Sequence, residues 1–176
     1  MTYSELIVQV AKSQLGTLEQ SAQVNLYLES VSGRKPNAWC YAFIYWCLSE
    51  SANLLGGNTS ALRTLSTIAA WRYAKKHEMA ILATLDTPYL IVRPGDIMVR
   101  AATIEDANRD LFADTILGVG HCGIVTDLSD SDYRTIEGNA PDSSTSNKDG
   151  VILKTHSWTE LRTMGWWRPF IAGKKR

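Results

Sequence analysis

The sequence predicts an α+β domain in which helices pack on a mostly antiparallel sheet of about five strands. Helical patterns fill the first half of the chain, and short strand patterns separated by turns fill the second half, from Pro88 onward. The two kinds of element do not alternate, which argues against a doubly wound sheet. The 176 residues, 45% of them apolar, suffice for one domain spanning 1–176 with a sizeable core.

Three helices are expected before residue 52. The first rests on apolar residues at helical spacing: Leu6, Ile7, Val10, Ala11 and Leu15. Thr2 or Ser4 can cap its start, and Gly16 ends it. A shorter helix is expected over Ala22–Val31, and a third over 38–51.

A Gly-Gly turn follows the third helix, and Thr59 or Ser60 is then expected to cap a fourth helix that runs to about Lys76. Downstream, β-rich runs predict strands at Asp96–Val99, Cys122–Leu128, Tyr133–Glu137, Val151–Thr155 and Gly165–Phe170.

Charge and composition exclude several classes of partner. Lys plus Arg equals Asp plus Glu at 18 each, so no basic stripe indicates nucleic acid and no charged anchor indicates a membrane. The first residues lack the pattern of a signal peptide, and we expect synthesis in the cytoplasm without one. Three cysteines without a framework spacing argue against a disulfide scaffold.

Cys40 is the strongest candidate for a functional residue. It follows a polar turn and opens the apolar third helix, where the helix dipole and unpaired backbone N–H groups favour a thiolate. A thiolate nucleophile needs a base, and the base needs an orienting group. His121 is the candidate base, and Glu137 the candidate orienter, with Asn139 in a supporting role or as the orienter itself. These residues can meet if the alternating faces of their two strands coincide.

The remaining cysteines and histidines are expected to have structural or solvent-facing places. Cys47 lies well inside the helix, and Cys122 is expected on the sheet face opposite His121. His77 ends a helix and should face solvent, while His156 is expected in a turn with only a slight prospect of a role. Because the spacing of these residues is unlike that of zinc sites, we expect no metal.

Four motifs occur in an order that resembles a known family. Trp-Cys opens a helix, Pro-Gly-Asp opens a strand, and Gly-x-Gly-His-Cys-Gly-Ile-Val and Ile-Glu-Gly-Asn follow. This arrangement resembles the CHAP-type cysteine amidases and peptidases, relatives of the NlpC-type peptidoglycan hydrolases in the papain-like group. The flanks, Leu15-Gly16-x-x-Glu19 and Gly165-Trp166-Trp167-Arg168-Pro169, are also similar.

The resemblance implies a papain-like fold and hydrolysis of a peptidoglycan amide bond without a cofactor. The bond is either the muramoyl–L-alanine amide or a peptide bond in the stem or cross-bridge. An endopeptidase is slightly favoured because Trp166 and Trp167, the one obvious glycan platform, are expected to pack in the core. The oxyanion would meet the Cys40 N–H and a second donor, for which Asn37 is a candidate. Segment Ala101–Ile116, with Glu105, Asp106, Arg109, Asp110 and Asp114, is expected to rim the cleft.

The setting stays open between a phage lysin released by a holin and a secreted antibacterial effector acting in the periplasm. An effector would imply an immunity protein that plugs the cleft. Two other functions also stay open: a non-catalytic module that binds wall peptides, and a cytosolic amidase that acts on a small amide conjugate.

Overall fold

The computed structural model describes residues 1–83, 88–112, 120–141 and 149–172. In these ranges the helices are α1 (Tyr3–Ser13), α2 (Ala22–Ser30), α3 (Cys40–Leu54), α4 (Thr67–Lys76) and α5 (Ile104–Phe112). The strands are β1 (Asn58–Thr59), β2 (Ala80–Leu82), β3 (Ile97–Ala101), β4 (Gly120–Leu128), β5 (Asp132–Pro141), β6 (Asp149–Ser157), β7 (Thr163–Trp167) and β8 (Ile171–Ala172).

The main sheet is antiparallel throughout and has six strands in the order β2-β7-β3-β4-β5-β6. The predicted α+β class is therefore confirmed, and the arrangement is consistent with a papain-like fold. The sequence analysis missed one strand of this sheet, β2, which pairs with β7 at the edge. It also extended β7 to Phe170, whereas β7 ends at Trp167, and it missed β1 and β8, which pair in a separate two-stranded sheet.

Two helices, α1 and α4, begin where a side chain caps a free backbone N–H group, and the predicted start of α4 is wrong. Thr2 caps α1 by accepting from the Glu5 backbone N–H, and the Glu5 carboxylate accepts in return from the Thr2 backbone N–H in a capping box. The fourth helix does not start at Thr59 or Ser60; it starts at Thr67, where the Ser66 hydroxyl accepts from the Ala69 N–H. The chain before it is used instead for β1.

The hydrophobic core divides between the two faces of the sheet. Successive residues of β3 go to different clusters, Ile97 and Val99 to the larger one and Met98 to the smaller. The larger cluster contains most of α3, which packs against β4 and β5 as well as α1 and α2. The first residue of α3, Cys40, lies close to the first residues of β4, Gly120 and His121.

None of the helices in the described ranges is long and apolar enough to span a bilayer.

Candidate active site

Cys40 is the first residue of α3, as predicted, and opens into a cleft. Its residue is 6% exposed, while Cys47 and Cys122 are fully buried. The cleft has a volume of about 340 Å³. Its lining includes two of the other predicted site residues, three basic side chains and small residues: Ala38, Arg100, Ala101, Ala102, Gly120, His121, Asn139, Pro141, Lys154 and Arg162.

The surroundings of Cys40 favour its thiolate. A hydrogen bond from the Cys122 thiol lowers the pKa of Cys40 most, burial opposes this, and the hydrogen bond and positive charge of His121 lower it further. The Thr67 hydroxyl lies 3.6 Å from the Cys40 sulfur and 3.4 Å from the Cys122 sulfur. Cys122 therefore lies beside the Cys40 thiol and shares Thr67 with it. The sequence analysis expected Cys122 to be a purely structural thiol on the sheet face opposite His121 and did not anticipate this contact.

His121 lies between Cys40 and a buried carboxylate. Its Nε2 is 2.8 Å from Glu137 Oε2, and its side chain is 28% exposed. Burial by itself would lower the pKa of His121, but hydrogen bonds and charges from Cys40 and Glu137 raise the pKa to about 9. These contacts favour an imidazolium beside a thiolate, and the ring stays accessible from the cleft.

Glu137 is fully buried and uses both carboxylate oxygens. Oε2 faces His121 and also lies 3.5 Å from Lys154 Nζ, while Oε1 accepts from the Thr135 hydroxyl at 2.7 Å. Burial would raise the pKa of Glu137, but hydrogen bonds from His121 and His156 hold that pKa well below its usual range. Glu137 is therefore not an exposed carboxylate paired with its neighbour Arg134, which pairs with Asp127 instead.

His156 lies in β6 and not in a turn, so the sequence analysis placed it wrongly. Its Nε2 is 2.6 Å from Glu137 Oε1, and its side chain is 4% exposed. The one signal in the sequence was its place directly after the predicted strand end at Thr155; in the structure His156 pairs with Tyr133 across β5 and β6. The signal was lost because Val151–Thr155 was taken as the whole strand.

Asn139 reaches the cleft by leaving the regular alternation of β5. It has a positive φ of 54° and lies at an irregularity of the β5–β6 register. It lines the cleft with Cys40 and His121, but the residue bonded to the imidazole is Glu137. The structure thus brings all four predicted residues together. Glu137 is bonded to the His121 ring, whereas Asn139 lines the cleft.

Two glycines make the close approach of these elements feasible. A Cβ on Gly123 would lie 2.8 Å from Glu137 Cγ and 2.9 Å from Thr135 Cβ, so the glycine leaves room for the buried carboxylate. A Cβ on Gly138 would lie 2.8 Å from both Phe43 Cβ and a Trp39 ring atom. Gly138 therefore allows β5 to lie directly against the start of α3.

Other predicted contributors lie away from the reacting groups. Asn37 is exposed, and its side-chain oxygen accepts from the Arg34 backbone N–H at 3.1 Å. His77 is exposed at the end of α4, as expected.

The structure describes the predicted rim segment from Ala101 to Phe112. Ala101 and Ala102 line the cleft, and α5 follows them. Asp106 bonds with Thr103 at the start of α5, its oxygen accepting from the hydroxyl at 2.9 Å. The side chains of Arg109 and Asp110, and residues 113–116 with Asp114, lie outside the described residues.

Within the described ranges, no group of three or more His, Cys, Asp or Glu side chains is placed so that it could hold a metal ion. The chemistry that the arrangement itself supports is nucleophilic attack by a thiolate, with a neighbouring imidazolium as proton donor.

Comparison with known proteins gives a family match across the site. The model of the CHAP domain family matches residues 32–139, which include Cys40, His121, Glu137 and Asn139. Neither the curated proteins nor the solved structures gave a match. CHAP domains are typically cysteine- and histidine-dependent amidases or peptidases, associated with peptidoglycan. Because the match covers more than half of the chain, the protein belongs to the CHAP domain family.

Proposed function

We propose that the protein is a peptidoglycan hydrolase that cleaves an amide bond with Cys40 as nucleophile, His121 as acid and base, and Glu137 as the orienter of His121. One observation carries this proposal: the thiol at the start of α3 shares a cleft with an imidazole that is bonded to a fully buried carboxylate. Asn139 contributes to the cleft wall beside the reacting groups.

In the proposed reaction, the Cys40 thiolate attacks the amide carbonyl and forms a carbon–sulfur bond. His121, as imidazolium, gives its proton to the leaving amine when the carbon–nitrogen bond breaks. The neutral ring then takes a proton from water, whose oxygen attacks the thioester and releases the carboxylic acid and the Cys40 thiolate. Glu137 stabilises the imidazolium and fixes the orientation of the ring throughout.

The oxyanion would be stabilised by the backbone N–H of Cys40. The first N–H groups of a helix lack partners inside the helix, and they lie at the positive end of its dipole. One such donor is commonly worth about 3 to 4 kcal/mol in the barrier. The Cys40 position therefore supplies both the nucleophile and part of the site that receives the developing charge.

Two features of the cleft favour a stem or cross-bridge peptide over the muramoyl–L-alanine amide. Trp166 and Trp167 are almost completely buried, so neither offers a stacking surface for a sugar. The basic side chains of Arg100, Lys154 and Arg162 line the cleft, and stem peptides carry free carboxylates that such cations attract. We therefore propose an endopeptidase.

Digestion of purified sacculi, followed by mass analysis of the soluble fragments, tests the proposal. An endopeptidase leaves part of each stem on the muramic acid and exposes a new amine inside the stem or cross-link. An amidase instead releases intact stems with a free L-alanine amine. No new reducing sugar ends are expected, because glycosidases rely on paired carboxylates.

The matched control is Cys40→Ala against Cys47→Ala, since both thiols lie in α3 and only Cys40 opens into the cleft. Release of fragments should stop in the first variant and persist in the second. If the unaltered protein binds sacculi but releases no soluble fragments, the result would indicate a wall-peptide binding module. Activity on a small amide conjugate, with sacculi left intact, would indicate a cytosolic amidase.

We further propose that the enzyme acts at the cell wall, as a phage lysin released by a holin or as a secreted antibacterial effector with an immunity protein. Expression in the cytoplasm should then be tolerated, whereas export to the periplasm by an added signal peptide should lyse the cells. Cys40→Ala should remove that toxicity. Survival during export of an active, folded enzyme would contradict this setting.

A further inference from the structure

We infer that His156 is a positioning residue that holds Glu137 in place for His121, an inference that rests on the proposed function of the site. The Glu137 carboxylate lies between two imidazoles: Oε2 is 2.8 Å from His121 Nε2, and Oε1 is 2.6 Å from His156 Nε2. The CHAP family match ends at residue 139, so His156 lies outside it.

The His156 imidazole determines which of the two Glu137 oxygens remains available to His121. A carboxylate on a side chain can rotate and exchange its oxygens unless both are bonded. His156 and the Thr135 hydroxyl, 2.7 Å from Oε1, occupy one oxygen and leave the other directed at His121. His156 Nε2 also lies 3.0 Å from the Thr135 oxygen, so the hydroxyl can donate to Glu137 and accept from His156.

His156 is itself held from three sides. Its Nδ1 lies 3.1 Å from Glu160 Oε2, and its ring stacks on Tyr133 with the centroids 5.3 Å apart. Glu160 in turn pairs with Arg100 and Arg162, which line the cleft. Ring stacking and two bonded nitrogens leave the His156 imidazole one orientation.

Both ring nitrogens of His156 face carboxylate oxygens, which accept hydrogen bonds and cannot donate them. The charged groups around it are Glu137, Glu160 and Lys154, together with Arg100 and Arg162 beyond Glu160. The fully buried carboxylate of Glu137 therefore has hydrogen-bonding partners on both of its oxygens, which favours its ionised form.

Three substitutions of His156 separate positioning from simple packing. His156→Gln places an amide N–H near the position of Nε2 and can still reach Glu137. His156→Asn is shorter and reaches only the Nδ1 side, toward Glu160. His156→Leu removes both donors. His77→Leu is the matched control, because His77 is exposed at the end of α4.

Two readouts are measured beside thermal unfolding: kcat and KM on a soluble cross-linked muropeptide, and the rate at which iodoacetamide labels Cys40 at about pH 6. We expect kcat to fall about tenfold to a hundredfold in the Asn and Leu variants, because each loses the hydrogen bond from His156 Nε2 to the charged Glu137 carboxylate. KM should not change, because His156 is 4% exposed and sits behind Glu137 from the cleft. The Gln variant and the His77 control should stay near the unaltered protein.

Labelling of Cys40 should be slower in His156→Asn and His156→Leu than in the unaltered protein, and His156→Gln should restore the rate. A poorly held Glu137 stabilises the His121 imidazolium less, and that imidazolium favours the Cys40 thiolate, which is the form that reacts. This arm needs no substrate, so it reports on His156 even if the unaltered protein fails to cleave muropeptide. Equal kcat in the Gln and Asn variants, or a rise in KM alone, would overturn the inference. Faster labelling in the Leu variant would do so too, since it would show that His156 competes with His121 for the carboxylate.

Discussion

Replacing Glu137 by glutamine tests the electrostatic part of the mechanism most directly. Both oxygens of Glu137 accept from donors, Oε2 from His121 and Oε1 from Thr135 and His156. Glutamine has the same shape but offers one acceptor oxygen and one NH₂ group. Its NH₂ must therefore face a group that also donates, either at His121 or at His156.

The expected size of the effect follows from the pKa of His121. Against the opposing effect of burial, Cys40 and Glu137 raise that pKa to about 9 from an ordinary value of about 6.5, which corresponds to about 3 kcal/mol in favour of the imidazolium. If Glu137 contributes half, its loss should lower the pKa of His121 by about one unit. A loss of about 1.5 to 3 kcal/mol for one hydrogen bond to a charged group predicts a fall in kcat of tenfold to a hundredfold.

The assay is the pH dependence of kcat/KM together with that of Cys40 labelling by iodoacetamide. In Glu137→Gln the imidazolium is less stable, so the Cys40 thiolate forms at higher pH and His121 loses its proton at lower pH. The active range should become narrower from both sides. Asn139→Ala, which removes a cleft residue that is not bonded to the ring, should leave the range unchanged. An unaltered pH range in a folded Glu137→Gln variant would refute the role assigned to the carboxylate.

Three further predictions concern the same site. Cys40→Ala should abolish hydrolysis with little change in thermal unfolding. Cys47→Ser should keep activity and lose stability, because the new serine hydroxyl is buried in the core. Equal loss of activity in both variants would show that Cys40 is not the nucleophile. Gly123→Ala should cost about 1 to 3 kcal/mol in the free energy of unfolding and reduce kcat, since the new methyl group would displace Glu137. Denaturant titration measures the first effect and enzyme kinetics the second. A variant with unchanged stability and unchanged kcat would contradict the tight packing. The pKa of Glu137 is lower in the folded state than in the unfolded chain, so its stabilisation is present above about pH 4.3 and is lost as pH falls. The difference in melting temperature between the unaltered protein and Glu137→Gln should therefore shrink between about pH 6 and about pH 3, and a constant difference would count against an ionised, buried carboxylate.

Local patterns in the sequence were enough to determine the fold class and where Cys40 lies. Helix periodicity, the Trp39-Cys40 junction and short β-rich runs depend on neighbouring residues, so they place the thiol at a helix start and His121 at the start of a strand. The sequence could not give the start of α4, because Thr59, Ser60 and Ser66 are all good caps. Pairing of β1 with β8, a contact between distant segments, decides that choice.

The tertiary structure decided how the carboxylate is held. Burial of Glu137 depends on the register of β4, β5 and β6, and a shift of one residue would turn its side chain to the other face. The same register brings His156, separated by 19 residues in sequence, to 2.6 Å from Glu137. Asn139 enters the cleft through a local irregularity that alternation cannot predict. Sequence alone therefore identified the candidate reacting groups, while the network that orients them exists only once the strands have paired.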